Sequence, residues 1–208
     1  MPLVRASVTP PHVVATPSHQ ALLGRLSDRD ADARRHAARA LASDHDAAPA
    51  LAGRLDDEPD RSVRDALFAS LVEIGGAEPA NLIARLLRSA DAGLRGGAVE
   101  ALKRLGPAAE PVVDALLDEP DPDVRILAVE VTRAWPVRLA TPRLRRIIED
   151  DPHPNVCGAA VDVATEIGTR DLITPLHRLR MRFANDSFLT FAVAAACSRI
   201  DAATEREG

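Results

Sequence analysis

Residue types that carry out catalysis or bind metals are few and scattered in this sequence. Two histidines on one helix can share a metal ion when they lie four residues apart, and no pair here has that spacing. The six histidines are His12, His19, His36, His45, His153 and His177. There is also no glycine-rich phosphate loop and no GxSxG nucleophile motif. The sequence therefore predicts no catalytic residue, no metal site and no cofactor.

Cysteine chemistry is limited to Cys157 and Cys197, which are too few for a disulfide scaffold and do not form a CxxC pair. They fall in neighbouring copies of the repeat described below, so a redox pair is one interpretation. Buried or inert free thiols are the other. We favour the second, because a free cysteine usually behaves as a small core residue.

The composition favours a folded protein and limits its partners. The chain has 208 residues, of which 46% are hydrophobic and 2% are aromatic. So few aromatic residues argue against a stacking platform for single-stranded nucleic acid and against a β-sandwich. The formal net charge of −5 is not that of a general polyanion binder. Without an apolar run of membrane length or a signal-peptide core, we expect a cytoplasmic protein and no membrane partner.

Internal repetition indicates the fold. Four blocks share one pattern, DADARRHAARAL, DRSVRDALFASL, DAGLRGGAVEAL and DPDVRILAVEVT, and two weaker copies follow, HPNVCGAAVDVA and NDSFLTFAVAAA. Alignment on the arginine gives one column, which we call the arginine column: Arg34, Arg64, Arg95, Arg125, Cys157 and Leu189. The steps along it are 30, 31, 30, 32 and 32 residues. A repeat this regular predicts stacked structural units.

Each block has the pattern of a capped amphipathic helix. Apolar residues stand one residue before the arginine column and three and four residues after it, which places them on one helical face. Four residues before the column the chain carries Asp30, Asp60, Asp91, Asp121, His153 and Asn185, mostly good N-cap residues. We expect Gly75, Gly106 and Gly168 to end three of these helices in the left-handed conformation.

A leucine-rich first helix precedes each block, with Pro49, Pro79, Pro111, Pro142 or Pro175 expected in its opening turn. One helix pair cannot cover its own apolar faces, so the pairs must stack. We predict an all-α solenoid of six pairs, at about 18–43, 44–75, 76–106, 107–136, 137–168 and 169–200. Residues 1–17 are expected to form an extended or mobile arm, and 201–208 a polar tail.

These blocks resemble the HEAT repeat family, most closely its short, phycobilisome-lyase-type HEAT-like form. The resemblance rests on the DPDVR segment that ends at Arg125 and on the Val-Arg pairs of copies two and four, and it covers about residues 19–200. It implies a right-handed α-solenoid whose second helices line a concave, partner-binding side. It also implies a ladder in which the Asp and Arg columns pair, ending before Cys157. The caps and ladder residues are Asp30, Arg34, Asp60, Arg64, Asp91, Arg95, Asp121 and Arg125.

The exposed side of the second helices carries three acids in line. Glu100, Glu130 and Asp162 each stand five residues after the arginine column. Lys103 and Arg133 follow the first two by three residues, within reach for partial pairing. The row is either an acidic strip that receives a basic peptide or helix, or an ordinary solvated face, and we favour the second because exposed charge pairs contribute about 0–1 kcal/mol.

Two adjacent glycines, Gly96 and Gly97, stand inside the third second helix, where each costs roughly 1 kcal/mol relative to alanine. Close helix packing explains them, or the close approach of a partner backbone. Ile126 and Leu127 would form an apolar floor beside them. Our hypothesis is a partner groove centred on Gly96, Gly97, Glu100, Ile126, Leu127, Glu130, Gly158, Ala159 and Asp162.

The last copy is unusually apolar. Residues 187–197 carry no charge, and Phe183, Phe188 and Phe191 cluster there. The terminal repeat of an array normally has a polar outer face. This copy is therefore predicted either to self-associate or dock a partner, or to pack unusually within the array.

The function predicted from the sequence is a non-enzymatic scaffold or adaptor that binds a protein partner of unknown identity on the concave face. One alternative is a phycobilin-lyase-like protein, although few aromatic residues are present to clasp a tetrapyrrole. The other resembles HEAT-like DNA glycosylases, which grip the DNA backbone with basic residues. The candidates for that role are Arg143, Arg145, Arg146, Arg178, Arg180 and Arg182. Acidic neighbours make nucleic acid the less favoured partner.

Overall fold

The computed structural model describes residues 17–207, and these residues form α-helices, short 3₁₀-helices and loops with no strand among them. The α-helices are α1 (His19–Arg25), α2 (Ala31–Ala40), α3 (Ala48–Asp57), α4 (Arg61–Ile74), α5 (Ala77–Ala84), α6 (Ala92–Leu105), α7 (Glu110–Leu116), α8 (Pro122–Val131), α9 (Val137–Asp150), α10 (Pro154–Ile167), α11 (Ile173–Arg182) and α12 (Ser187–Glu207). The all-α prediction is confirmed. The predicted arm lies almost entirely outside the described residues.

The helices stack in two layers. The even-numbered helices, which are the predicted second helices, pack on one another in chain order from α2 to α12. The odd-numbered helices form the other layer, with α3 on α5, α5 on α7 and α9 on α11. One continuous apolar core runs between the layers. This arrangement is the predicted solenoid of helix pairs, in which each pair buries the apolar face of its neighbour.

Side chains just before the second helices satisfy their free N–H groups. Asp30, Asp60, Asp91 and Asp121 each accept hydrogen bonds from backbone N–H groups two or three residues further on. His153 does the same through its ring Nδ1, which accepts from the N–H of Asn155. These caps fix where each helix begins, and so fix the phase of its apolar face.

The sixth copy departs from the predicted alignment by one residue. Asp186, and not Asn185, accepts a hydrogen bond from the N–H of Leu189, at 2.9 Å. The residue four positions after this cap is Thr190, so Thr190 takes the place assigned to Leu189 in the arginine column. Leu189 then joins the buried apolar positions of α12. Asn and Asp cap equally well, so burial of Leu189 decided between two adjacent candidates.

Two of the three predicted left-handed glycines have that conformation. Gly75 and Gly106 have φ values of 70° and 55° at the ends of α4 and α6. The prediction is wrong for Gly168, which has φ −67° and ψ 152°. Close approach requires a glycine there instead, because a Cβ would lie 2.2 Å from the carbonyl oxygen of Ala164.

Two further elements begin or end away from their predicted positions. Pro142 does not open α9 but lies inside it, because the helix already begins after Pro136. At the other end of the chain, α12 continues through the segment predicted as a polar tail and ends at Glu207.

Candidate functional site

The arginine column closes the turn within each copy. All four arginines donate a hydrogen bond to the carbonyl oxygen six residues earlier, in the loop between the two helices of a pair. The distances are 2.9 Å for Arg34 to Asp28, 2.5 Å for Arg64 to Glu58, 2.7 Å for Arg95 to Ser89 and 2.7 Å for Arg125 to Glu119. Each guanidinium therefore holds the loop that positions its own second helix.

Two of these arginines also form buried ion pairs with the next copy. Arg34 donates two hydrogen bonds of 2.7 Å to Glu58, and Arg125 donates two, of 2.8 and 3.1 Å, to Asp151. Both carboxylates stand two residues before a cap, a position that sequence reasoning did not single out. Burial alone would raise the pKa of Glu58, but hydrogen bonds from Arg34, the N–H of Asp60 and Arg54 outweigh it and lower that pKa.

The expected pairing of the Asp and Arg columns is found once in these four copies, where Arg64 meets Asp91 at 2.8 Å. The arginine column ends at Cys157, but a guanidinium still binds the loop before the second helix in that copy. Arg182 of α11 donates to the carbonyl oxygen of Asp151 at 2.8 Å and to the Cys157 sulfur at 3.2 Å. A guanidinium from the next copy thus takes the place of the missing arginine. Burial raises the pKa of the Cys157 thiol, and both cysteines are free.

The predicted groove residues lie on three adjacent second helices, whose shared outer side we call the second-helix face. On α6 they are Gly96, Gly97 and Glu100, on α8 Ile126, Leu127 and Glu130, and on α10 Gly158, Ala159 and Asp162. The packing of α6 on α8 and of α8 on α10 brings all nine to one side of the array. Gly96, Glu100 and Asp162 are exposed, while the other members of the set are half-buried.

A ladder of alternating charges occupies the predicted acidic strip. Lys103 lies 2.9 Å from Glu100 and 2.8 Å from Glu130 of the next copy. Arg133 pairs with Glu130 at 2.8 Å, with Asp162 at 2.6 Å and with Glu166. Burial raises the pKa of Glu130, but hydrogen bonds from Arg133 and Lys103 reverse that shift and lower it. A basic partner would have to compete with two cations that the protein already supplies.

A groove of about 620 Å³ lies between α4 and α6 on the second-helix face. The buried ring of Phe68 packs against α6 at its floor, where a Cβ on Gly97 would lie 2.4 Å from the ring. A Cβ on Gly96 would meet no atom within 4 Å. Close packing therefore explains Gly97, and Gly96 leaves the groove open.

The rim of this groove is charged. Arg61 and Arg104 are exposed there and form no ion pair with the residues that the structure describes, whereas Arg64 is held by Asp91. Asp65 and Glu100 are the acids of the rim. Of the hypothesised groove residues, Gly96, Gly97 and Glu100 line this concavity, whereas Ile126, Leu127, Gly158 and Ala159 do not. Phe68 was missed because its apolar position in the repeat predicts core and nothing more.

The arginines suggested for DNA binding are largely engaged elsewhere. Arg143 pairs with Asp114 and Glu110, Arg146 with Asp118, and Arg178 with Glu149. Arg145 donates to a backbone carbonyl, as does Arg182. These contacts tie successive first helices together. Among the six, Arg180 is the one for which the described part of the chain shows neither an ion pair nor a side-chain hydrogen bond.

Residues 17–207 contain no group of three His, Cys, Asp or Glu side chains placed to hold a metal ion. No helix in that range is both long enough and apolar enough to cross a membrane.

Comparison with solved structures gives distant similarities that carry no functional argument. An archaeal HEAT-like repeat protein from Thermococcus onnurineus shares 14% identity over 88% of this chain and 87% of its own, with a TM-score of 0.47. A designed armadillo repeat protein in complex with the peptide (KR)4 shares 16%, over 86% and 98%, with a TM-score of 0.43. The CpcE–CpcF phycocyanin lyase complex from Nostoc shares 17%, over 96% and 100%, with a TM-score of 0.38.

The curated proteins include no match to this chain. A family model described as HEAT repeats matches residues 19–103 and 109–198, which is most of the chain. The arrangement of capped helix pairs in two layers agrees with that match. The chain belongs to the HEAT repeat family.

Proposed function

We propose that this protein is a non-enzymatic interaction scaffold and that it binds a segment of a partner protein in the groove between α4 and α6. The observation that carries the proposal is the open space above Gly96, over the buried Phe68 ring and between two arginines that pair with no carboxylate of the described residues. A concavity of about 620 Å³ falls within the usual range of ligand sites and accommodates a large apolar side chain.

The charges of the rim favour an acidic segment. Arg61 and Arg104 form no ion pair within residues 17–207, so carboxylates of a partner gain charge-assisted hydrogen bonds without displacing a pair seen there. The C-terminal part of the face differs, because Lys103 and Arg133 are already shared among four acids. An apolar anchor flanked by carboxylates is therefore the partner chemistry that fits the groove.

Pre-organisation supports this function. The helices that line the groove begin at capped residues, and the buried pair of Arg34 and Glu58 ties α2 to the loop before α4. A partner segment would meet a surface that needs little ordering on binding, which reduces the entropic cost of association. The DNA-binding alternative gains no comparable support, since its arginines are mostly paired.

A matched glycine pair tests the proposal. Gly96→Phe fills the groove, whereas Gly53→Phe places the same side chain at an open, exposed position on α3, in the other layer. A random 12-residue peptide library is selected on the immobilised wild-type chain, and the affinities of enriched peptides are measured for all three proteins. We expect carboxylates around an aromatic or aliphatic residue, at least tenfold weaker binding to Gly96→Phe, and unchanged binding to Gly53→Phe.

Charge reversal supplies the second arm of this test. Arg61→Glu combined with Arg104→Glu should weaken the same peptides, with a smaller effect at high salt because exposed charges are screened. Peptides that bind Gly96→Phe as tightly as the wild type, or an enriched set without carboxylates, would overturn the proposal. Circular dichroism confirms that each variant is folded.

A further inference from the structure

The C-terminal end of the array exposes large apolar side chains. Phe188 and Phe191 of α12 are 78% and 75% exposed, and Met181 at the end of α11 is 77% exposed. We call the surface formed by these three residues the end face. Phe183 was predicted to belong to the same cluster. It is instead half-buried against the core, and the Arg182 guanidinium lies 4.9 Å from its ring centroid.

The repeat alignment shows which side of α12 this is. With Asp186 as the cap, Phe191 stands one residue after the arginine column. In copy one that position is Arg35, which donates to Ser62 of the following copy at 3.1 Å. In copy five it is Gly158, where a Cβ would meet Leu189 of the following copy at 4.0 Å. Phe191 therefore points toward the place that a further copy would occupy.

Phe188 is equally unusual for its position, two residues before the arginine column. The five earlier copies have polar or small residues there: Asp32, Ser62, Gly93, Asp123 and Asn155. A phenylalanine at an exposed helix start adds apolar area to water without any packing in return. Two such residues one helical turn apart make a continuous apolar patch.

We propose that the end face is a self-association interface, in which α12 packs against α12 of a second copy of this chain about a two-fold axis. The exposed residues of α12 up to Ser198 carry no charge, so packing of this segment against its own copy brings no like charges of α12 together. Phe191 continues the side by which copies one and five contact the following copy, and Phe188, at the position of Ser62, lies one helical turn from it on the exposed side of α12. Such an interface needs no new kind of packing.

The opposite end of the array argues for two-fold pairing over head-to-tail stacking. There the exposed residues of α1 and α2 include Gln20, Arg25, His36 and Arg39, which would be desolvated against phenylalanine rings. A two-fold axis instead packs the end face of one molecule against the end face of the second molecule. Most homodimers pair the same surface of both subunits in this way. Four phenylalanine side chains account for roughly 600–1,000 Å² of buried area, which is below the roughly 1,200 Å² of stable interfaces and typical of weak ones, so we expect a weak dimer of about micromolar Kd.

Sedimentation equilibrium from 1 to 200 μM measures this directly. The wild-type chain should pass from monomer to dimer, and the double variant Phe188→Ser with Phe191→Ser should stay monomeric. Val137→Ser, at an exposed apolar residue on α9, serves as the matched control and should dimerise like the wild type. A monomeric wild type at 200 μM, or an unaffected double variant, would overturn the inference.

Cross-linking distinguishes two-fold pairing from head-to-tail stacking. The two native thiols are buried, so a cysteine at exposed Ala195 of α12 or at exposed His36 of α2 is the accessible thiol in each variant. A short bismaleimide should couple Ala195→Cys to itself at concentrations where the wild type is dimeric. Coupling between Ala195→Cys and His36→Cys in a mixture would instead show head-to-tail stacking and contradict the two-fold axis. Neither experiment depends on the groove, so its outcome is separate from that of the proposed function.

Discussion

Glu58 shows how a single buried carboxylate joins two copies of the repeat. It is fully buried and accepts from Arg34, from Arg54 and from the N–H of Asp60. Removal of one member of such a cluster leaves the buried arginine without its counter-charge. That loss commonly costs more than the intact pair contributes, because the desolvation penalty of the remaining charge is no longer offset.

Glu58→Gln should therefore lower the free energy of unfolding by about 2–4 kcal/mol at pH 7. Because the folded-state pKa of Glu58 lies below its ordinary value of 4.5, its contribution is complete above that pH and is lost as the pH falls further. The wild type should consequently lose stability below about pH 4.5 more steeply than the variant. Urea unfolding followed by circular dichroism between pH 7 and pH 3 measures both effects.

Asp57→Asn is the control for this prediction, since Asp57 is the exposed acid immediately before Glu58. It should change the free energy of unfolding at pH 7 by less than about 0.5 kcal/mol. Equal effects of the two substitutions would show that the buried pair has no special role.

Helix α6 contains two adjacent glycines, Gly96 and Gly97, whose surroundings differ. Gly96 faces open space, so alanine there gains helix propensity at no steric cost. Gly97 lies against Phe68, so alanine there forces the ring to move. Gly97 thus allows α4 to pack closely on α6, and the adjacent Gly96 keeps the groove open.

We expect Gly96→Ala to raise the free energy of unfolding by roughly 0.5–1 kcal/mol and Gly97→Ala to lower it by about 1–3 kcal/mol. Chemical denaturation of the two variants beside the wild type provides the measurement. The same sign for both would contradict the assignment of the two glycines to different roles.

At the scale of the whole molecule, the stack makes stability depend on neighbours. Each inner second helix is covered by a second helix on both sides, whereas α1 belongs to a terminal copy and has seven residues. Cooperative opening of such an array begins at its ends. The charge ladder and the arginine contacts also join adjacent copies only.

Amide hydrogen exchange should therefore be slowest in α4, α6 and α8 and fastest in α1. Exchange in α12 should fall as protein concentration rises through the dimer range, whereas exchange in α1 should not. Mass spectrometry of peptic fragments at 1 and 100 μM separates these effects. Uniform protection along the chain would show that the array opens as one unit.

Local interactions explain why much of this fold could be predicted. Helix phase follows from apolar residues within one or two turns, and helix starts follow from a side chain that bonds to an N–H two or three residues away. Both are properties of a short segment. At Asn185 and Asp186 two neighbouring residues have the same capping ability, so cap preference alone does not identify Asp186 as the cap.

By itself the sequence determined the repeat, its helix pairs and most of their caps. Only the tertiary structure decided that Glu58 and Asp151 receive the arginines, that Arg182 replaces a missing one, and that the open groove lies at α4 and α6. The physical reason is distance along the chain: the arginine contacts join side chains 24 to 26 residues apart, and whether they meet depends on how each helix pair packs on the next. Periodicity specifies which face of a helix is buried, but not which charge it meets there.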